Sequence, residues 1–106
     1  MTSIIWHPAA EDELVAQADI FAAVDSALVL RFNERLRYFL GVIQSNPLLF
    51  HERKHSSRRA NLTPKFGEHY LAYILWKDNV VIVALGHAKR KPYYFKNRLG
   101  EARRLT

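Results

Sequence analysis

The chain has 106 residues, no cysteine and a formal net charge of +6 at neutral pH. This length permits one domain with a small core, and the lack of cysteine excludes disulfides, thiolate metal sites and cysteine nucleophiles. No apolar run approaches the ~20 residues of a membrane span, and the first residues lack the pattern of a secretory signal. We therefore expect one domain over residues 1–106, located in the cytoplasm and without a membrane partner.

The positive charge is concentrated in the second half of the chain. Residues 1–45 carry three arginines against six acidic residues, a net of −3, whereas residues 46–106 carry thirteen Lys or Arg against four acidic residues, a net of +9. Such asymmetry indicates nucleic acid, an anionic surface or an acidic protein as partner. The alternative is an ordinary soluble protein with a high isoelectric point.

A short strand and a first helix are predicted at the start of the chain. The β-rich run Ser3–His7 stops at Pro8, which suits the first position of a helix because its missing N–H would have no partner there. Acidic residues in the first turn then complement the positive end of the helix dipole. These residues are Glu11, Asp12 and Glu13. Helical periodicity predicts an apolar face formed by Leu14, Val15, Ala18, Phe21 and Ala22.

The second helix is expected to follow almost without a linker, so that the two helices form a hairpin. Asp25 or Ser26 can cap its start, and the helix should run to about Gln44. Asn46-Pro47 ends it, because helical backbone is disfavoured before a proline. Its apolar stripe consists of Leu28, Phe32, Leu36, Phe39, Leu40 and Ile43.

Three strands are predicted after a basic connector over residues 48–58. They cover Arg59–Pro64, His69–Lys77 and Val80–Gly86. The last two are apolar on both faces and should be central strands, joined by a turn at Asp78-Asn79, where positive φ is tolerated. The order β-α-α-β-β-β predicts an α+β fold, in which the helix hairpin packs on a small, mainly antiparallel sheet. A basic aromatic tail over residues 90–106 follows, and a helix from Pro92 is one option for it.

The segment His51-Glu52-Arg53-Lys54-His55 matches the H-E-x-x-H pattern of zinc hydrolases. On a helix, the two histidines would bind one zinc ion and the glutamate would activate its water. However, the segment follows the helix-ending Pro47 and would place two more positive charges beside the metal. We therefore favour a solvated loop, and we expect neither a metal nor another cofactor.

A second group of residues has the side chains needed to bind and cleave RNA without a metal. Basic residues near the strand ends would hold phosphates, and tyrosines would stack on unpaired bases. A histidine or tyrosine could move the proton of a ribose 2′-hydroxyl while arginine stabilises the charge on the phosphate. The candidates for binding nucleic acid or another target are Arg58, Arg59, Lys65, His69, Lys89 and Lys91. The candidates for catalysis are His87, Arg90, Tyr93 and Tyr94.

A structural interpretation of several of these residues competes with the functional one. Tyr70, Tyr73 and Trp76 fit core or strand positions better than base-stacking positions. The basic residues near the end of the chain would then only solvate a terminal helix.

Four segments of the chain occur in an order that is typical of a known group of proteins. They are Ile4–Leu14, Ser45-Asn46-Pro47, Tyr70-Leu71-Ala72-Tyr73 and Val80–Tyr94. In this order the chain resembles the RelE/ParE superfamily of bacterial toxins over about residues 3–95. The resemblance implies the toxin of a type II toxin–antitoxin pair, of the kind that stabilises plasmids. It also implies a cognate acidic antitoxin that folds around the toxin into a hetero-oligomer.

The superfamily has two well-known activities. RelE-like members are metal-independent enzymes that cleave mRNA in the ribosomal A site. By position, that resemblance assigns the catalytic roles to Arg59, Lys65, His87, Arg90 and either Tyr93 or Tyr94. ParE-like members inhibit DNA gyrase and are not known for a nuclease site, and the long helix hairpin and the ending of this chain look nearer to them. A non-toxic nucleic-acid-binding domain is the alternative to both.

Overall fold

The first half of the chain forms β1 (Ser3–Trp6) and two helices, α1 (Pro8–Val24) and α2 (Ser26–Ser45), in a computed structural model that describes residues 2–106. Pro8 begins α1, and Nδ1 of His7 caps it by accepting a hydrogen bond from the Ala9 N–H (3.0 Å). Asp25 alone separates the helices, and its carboxylate caps α2. The predicted hairpin is therefore confirmed, and no helix within residues 2–106 is long and apolar enough to cross a membrane.

The second half supplies the other three strands of a four-stranded sheet. These strands are β2 (Ser57–Leu62), β3 (Phe66–Trp76) and β4 (Asn79–His87). The order across the sheet is β1-β4-β3-β2, with β1 parallel to β4 and the other pairs antiparallel. The apolar strands β3 and β4 are central, as their sequences predict, and residues 70–74 of β3 and 80–86 of β4 are buried. The α+β fold with a mainly antiparallel sheet is thus confirmed.

Each face of the sheet has its own apolar core, because alternate residues of a strand point to opposite faces. The helix hairpin covers one face, which we call the hairpin face. Its core includes Phe32, Phe39, Ile43, Leu71, Tyr73 and Ile82. The C-terminal segment covers the other face, which we call the tail face. Its core includes Tyr70, Ile74, Val83, Phe95, Leu99 and Ala102. The basic tail is therefore a third layer of the fold.

Some strand boundaries differ from the prediction. β2 lies two residues earlier than expected, because Thr63, Pro64 and Lys65 form the turn into β3 and Lys65 has a φ of 72°. β3 consequently begins at Phe66 rather than at His69. The turn into β4 uses Lys77 and Asp78, with φ of 50° and 63°, instead of Asp78 and Asn79. Residue type alone did not indicate that a lysine would adopt positive φ.

The structure also differs from the sequence patterns in the first helix and in the tail. Val15 is 59% exposed, because the buried side of α1 is narrower than its apolar pattern and centres on Ala10, Leu14 and Phe21. No helix starts at Pro92. A third helix, α3, spans only Leu99–Arg104 and follows a single 3-10 turn.

The close packing of Tyr70 on β4 makes the size of residue 86 critical. Gly86 pairs with Tyr70 across the two central strands, and a Cβ atom at Gly86 would overlap the Tyr70 ring. We expect Gly86→Ala to lower the free energy of unfolding by about 1–3 kcal/mol, since the core must shift to relieve the overlap. Urea denaturation of the purified protein measures this change.

The matched control is Gly41→Ala on the exposed side of α2, where an added Cβ has no neighbour within 4 Å. Alanine there should raise the free energy of unfolding by up to about 1 kcal/mol, because it favours helix over glycine. Equal effects of the two substitutions would contradict the packing described for Gly86.

Candidate functional site

The candidate residues are divided between the two faces of the sheet. His69 and His87 pair across β3 and β4, and their ring centroids are 4.8 Å apart. His69 also packs against Phe21 of α1 (5.6 Å), so both histidines lie on the hairpin face. The Arg59 guanidinium lies 3.8 Å from the centroid of the Tyr70 ring, which belongs to the core of the tail face. The sheet itself therefore separates the histidines from this arginine.

The histidine pair is held by local contacts. Nδ1 of His87 accepts a hydrogen bond from the Lys89 N–H (3.0 Å), which places the proton of a neutral His87 ring on Nε2. That nitrogen lies 3.4 Å from a carboxylate oxygen of Glu68. Burial lowers the pKa of His69, and the charge of a protonated His87 lowers it further, although Glu68 opposes both effects. His69 is therefore a neutral, packed ring at neutral pH.

Glu13 of α1 is the centre of a polar network that joins three parts of the fold. Its side chain is only 16% exposed. It accepts hydrogen bonds from the Tyr94 hydroxyl (2.7 Å), from Arg98 (2.8 and 3.1 Å) and from Arg90 (3.1 Å). The Leu85 N–H of β4 donates a further bond to it (3.2 Å). Glu13 thus ties the tail and β4 to the first helix.

Two of the candidate catalytic residues, Arg90 and Tyr94, belong to this network. The Arg90 guanidinium lies 3.7 Å from the centroid of the Tyr94 ring. Burial raises the pKa of Tyr94 well above its ordinary value, and the hydrogen bond to Glu13 raises it further. The Tyr94 phenol therefore stays protonated and donates to Glu13. Sequence patterns suggested only a helix-dipole role for Glu13, although it lies three residues after the buried Ala10, on the same side of α1.

On the tail face, β2 and the C-terminal segment enclose a cleft of about 220 Å³, which we call the arginine cleft. Three arginines and three aromatic rings line it, namely Arg53, Arg58, Arg59, Tyr70, Tyr93 and Phe95. Of the candidate residues, the structure therefore brings Arg58, Arg59 and Tyr93 together here. Arg53 was not among the predicted binding residues, because its sequence context suggested only a solvated loop. The chain reverses direction between Arg53 and Ser57, and the Arg53 N–H donates a hydrogen bond to the Ser57 carbonyl (2.7 Å). This reversal places Arg53 next to β2.

The remaining candidates lie elsewhere. Lys65 and Lys89 are exposed in turns, Lys91 is exposed at the start of the tail, and none of them lines the arginine cleft. The competing structural interpretation holds for Tyr70 and Tyr73, which are 3% and 0% exposed. Trp76 departs from it, since this side chain is 37% exposed at the end of β3.

The H-E-x-x-H segment lies in an irregular connector. Lys54–Ser56 forms a single 3-10 turn in which His55 has a φ of 62°. Glu52 approaches Arg58 (3.8 Å). Over residues 2–106, no group of three His, Cys, Asp or Glu side chains is arranged to hold a metal ion.

The helix hairpin on a small mixed sheet and the basic C-terminal half place this chain among the small basic α+β proteins. The family model described as ParE toxin of type II toxin-antitoxin system, parDE, matches residues 4–92. Because the match covers most of the chain, the chain belongs to this toxin family, and the predicted RelE/ParE membership is confirmed. Membership implies an antitoxin as partner. No curated protein matches the chain significantly.

The Glu13 network predicts a specific loss of stability when its charge is removed. Glu13→Gln preserves the shape of the side chain but leaves the Arg98 guanidinium, which is 20% exposed, without a counter-charge. We expect the free energy of unfolding to fall by about 2–3 kcal/mol, as for other partly buried charged hydrogen bonds. Thermal and urea denaturation measure the loss.

Glu34→Gln on the exposed side of α2 is the control for Glu13→Gln, because it removes the same charge from a side chain in no ion pair within residues 2–106. It should change stability by less than about 0.5 kcal/mol. A Glu13→Gln protein as stable as this control would show that the network contributes nothing.

The buried tyrosines predict a decline of stability in alkali. Burial raises the pKa of Tyr73 to about 12, and its hydroxyl donates to the Pro47 carbonyl (2.8 Å). In the unfolded chain the same phenol ionises near pH ~10. Above that pH the unfolded chain holds fewer protons than the folded one, so the free energy of unfolding falls as pH rises, whereas this contribution is fully present below pH ~10.

Urea denaturation between pH ~9 and ~11.5 checks the direction of this effect. Tyr73→Phe should make the decline shallower, since it removes one of the buried phenols whose pKa is raised by folding. An unchanged slope in this variant would contradict the assignment to Tyr73.

Proposed function

We propose that this toxin arrests bacterial growth by inhibiting DNA gyrase in the cytoplasm and that its cognate antitoxin neutralises it. The observation that carries the proposal is the division of the candidate residues by the sheet. It favours an inhibitor that acts by binding over an enzyme that cleaves RNA.

Metal-independent RNA cleavage needs a proton acceptor, a proton donor and a phosphate clamp within about 3 Å of the reacting atoms. Here His87 lies on the hairpin face beside Glu68, whereas Arg59 lies on the tail face. Tyr94 is a poor proton acceptor because its phenol donates to Glu13 and its pKa is raised by burial. His87 shares a small pocket with Arg90, but the Arg90 guanidinium is paired there with Glu13 (3.1 Å) and so is poorly placed to hold a phosphate. Arg59 and Tyr93 line a different cleft, on the tail face.

Neutralisation by an antitoxin has support from charge and from exposed apolar surface. The second half of the chain has a net charge of +9, which attracts an acidic segment. Near the tip of the hairpin, Ile20, Val24 and Leu30 are 57–72% exposed. An antitoxin segment with acidic residues and one apolar face would complement both features.

The second candidate function is cleavage of ribosome-bound mRNA at the arginine cleft. It is favoured by one observation, that Tyr93 lines the same cleft as Arg53, Arg58 and Arg59. In this case Tyr93 would act on protons and the arginines on phosphate, without either histidine.

The order of events after induction in bacteria separates the two candidates. We expect DNA synthesis to stop first, with DNA-damage signalling and intact mRNA, and we expect the purified protein to inhibit supercoiling by gyrase. Co-expression of the adjacent antitoxin gene should restore growth. Early loss of translation with cleaved mRNA would contradict the proposal, and so would a supercoiling reaction that the protein does not affect.

A His87→Gln variant sharpens this test, because glutamine can keep hydrogen bonds to both Lys89 and Glu68. If gyrase inhibition needs no proton transfer, the variant should arrest growth as the parent does. If His87 were a general base or acid, the variant would lose on the order of 10²-fold or more in activity.

A further inference from the structure

We propose that the arginine cleft is a binding site for one phosphorylated nucleoside, which it holds without cleaving. This proposal goes beyond the inhibition of gyrase and is an alternative to the cleavage of mRNA at the same cleft. It starts from the charges that line the cleft. Within residues 2–106, neither Arg53 nor Arg59 takes part in any ion pair.

Within residues 2–106, the one carboxylate in an ion pair with these arginines neutralises them weakly. Glu52 approaches Arg58 at 3.8 Å, but its side chain is 60% exposed, so water screens the pair. Arg58 itself is only 14% exposed. Two of the three guanidinium groups therefore lack a counter-ion while facing a partly enclosed space, which favours a bound anion. The planar fork of a guanidinium matches the oxygens of a phosphate.

Arg58 and Arg59 are also held in place before any ligand arrives. Arg59 stacks on the buried Tyr70, and its Nε donates to Oδ1 of Asn61 (3.1 Å). Asn61 is fixed in turn by the Gly67 carbonyl (2.9 Å), so the terminal nitrogens of Arg59 remain for a ligand. Nη1 of Arg58 donates to the Phe50 carbonyl (2.6 Å). Little side-chain entropy is then lost on binding.

The rest of the lining identifies the organic part of the ligand. Tyr93, Phe95 and Pro92 form an apolar wall opposite the arginines. Phe95 is 3% exposed, and the ring centroids of Tyr93 and Phe95 are 6.1 Å apart. Phe95 is thus buried beneath the wall, and Tyr93 and Pro92 supply its accessible surface. A bare phosphate or a carboxylate side chain would leave this surface unused, whereas a nucleobase would stack on Tyr93. At about 220 Å³, the cleft suits a single nucleotide unit rather than a duplex.

This ligand chemistry has two possible sources, a free nucleotide or one unit of a single strand. A second cleft of about 190 Å³ adjoins the first and shares Arg58 with it. It contains Arg103, whose guanidinium lies 5.4 Å from the centroid of the Trp76 ring. A single strand would place its next nucleotide there, since Arg58 lines both clefts.

Titration of the purified protein with 5′-AMP, inorganic phosphate and fluorescent tetranucleotides of RNA and DNA tests the site. We expect AMP to bind with a dissociation constant that rises with salt, and phosphate alone to bind much more weakly. Arg59→Gln should weaken AMP binding about tenfold or more, through loss of a charged hydrogen bond. Tyr93→Ala should weaken it about fivefold or more, through loss of stacking.

Two further variants keep the test independent of folding. Arg53→Gln removes an exposed guanidinium from the cleft and should weaken binding with an unchanged melting temperature, even if Arg59→Gln disturbs Tyr70. Arg37→Gln on the exposed side of α2 removes the same charge elsewhere and should leave AMP binding within about twofold.

The outcomes of the titration distinguish a free nucleotide from a single strand as the ligand. They also show when the proposal fails. Tetranucleotides that bind more than tenfold tighter than AMP identify a single strand as the ligand, and equal affinities identify a free nucleotide. Phosphate that binds as tightly as AMP, or an unaltered Tyr93→Ala variant, would reduce the site to a simple anion site and overturn the proposal. Equal losses from Arg37→Gln and Arg53→Gln would show that only overall charge matters.

Discussion

The hydrogen bonds to Glu13 are the contacts on which the three-layer arrangement depends. One carboxylate on α1 accepts bonds from the end of β4 and from three side chains of the tail. A carboxylate that is 16% exposed costs free energy unless its oxygens are satisfied, and here charged or hydroxyl donors satisfy them. Arg98 also donates to the Val83 carbonyl (3.0 Å), so the same side chain fixes the tail to the central strand. The polar contacts thus set where the apolar core of the tail face can form.

This arrangement explains why residues that look catalytic in sequence have different environments in the structure. Arg90 and Tyr94 lie in the segment after β4, where a basic and aromatic composition suggests nucleic acid. Their side chains instead contact an acidic residue of α1, which neutralises one and fixes the hydroxyl of the other. Within residues 2–106, Arg59 takes part in no ion pair, and Arg58 approaches only the exposed Glu52. The position of an arginine in the fold, rather than its residue type, therefore decides whether an acidic side chain of the protein neutralises it or whether it remains available to a ligand.

The elements of the fold followed from sequence because each has a local cause. Pro8 and Asp25 punctuate the helices, and two-sided apolar runs define β3 and β4. Membership of the toxin family was also apparent from the order of short segments. What could not be predicted depends on contacts distant in sequence. The bond between Glu13 and Arg98 spans 85 residues, and the arginine cleft forms only when the tail packs against β2. Lys77 and Asp78 adopt positive φ because the register of β3 and β4 requires the turn there, which residue preferences alone did not indicate.

The parallel pairing of β1 with β4 has a consequence for how the molecule assembles. Ser3 lies opposite Asn79 and Trp6 opposite Ile82. Most of the chain therefore lies between β1, the shortest strand, and its partner β4. Closing so long a loop costs entropy before any contact compensates for it, whereas the helix hairpin and the β3–β4 hairpin are local. We therefore expect these two hairpins to organise first and the outer strand and tail to attach late. In the native state, the outer strand and tail would then be the first parts to open, exposing backbone of β4 while the centre of the protein remains folded.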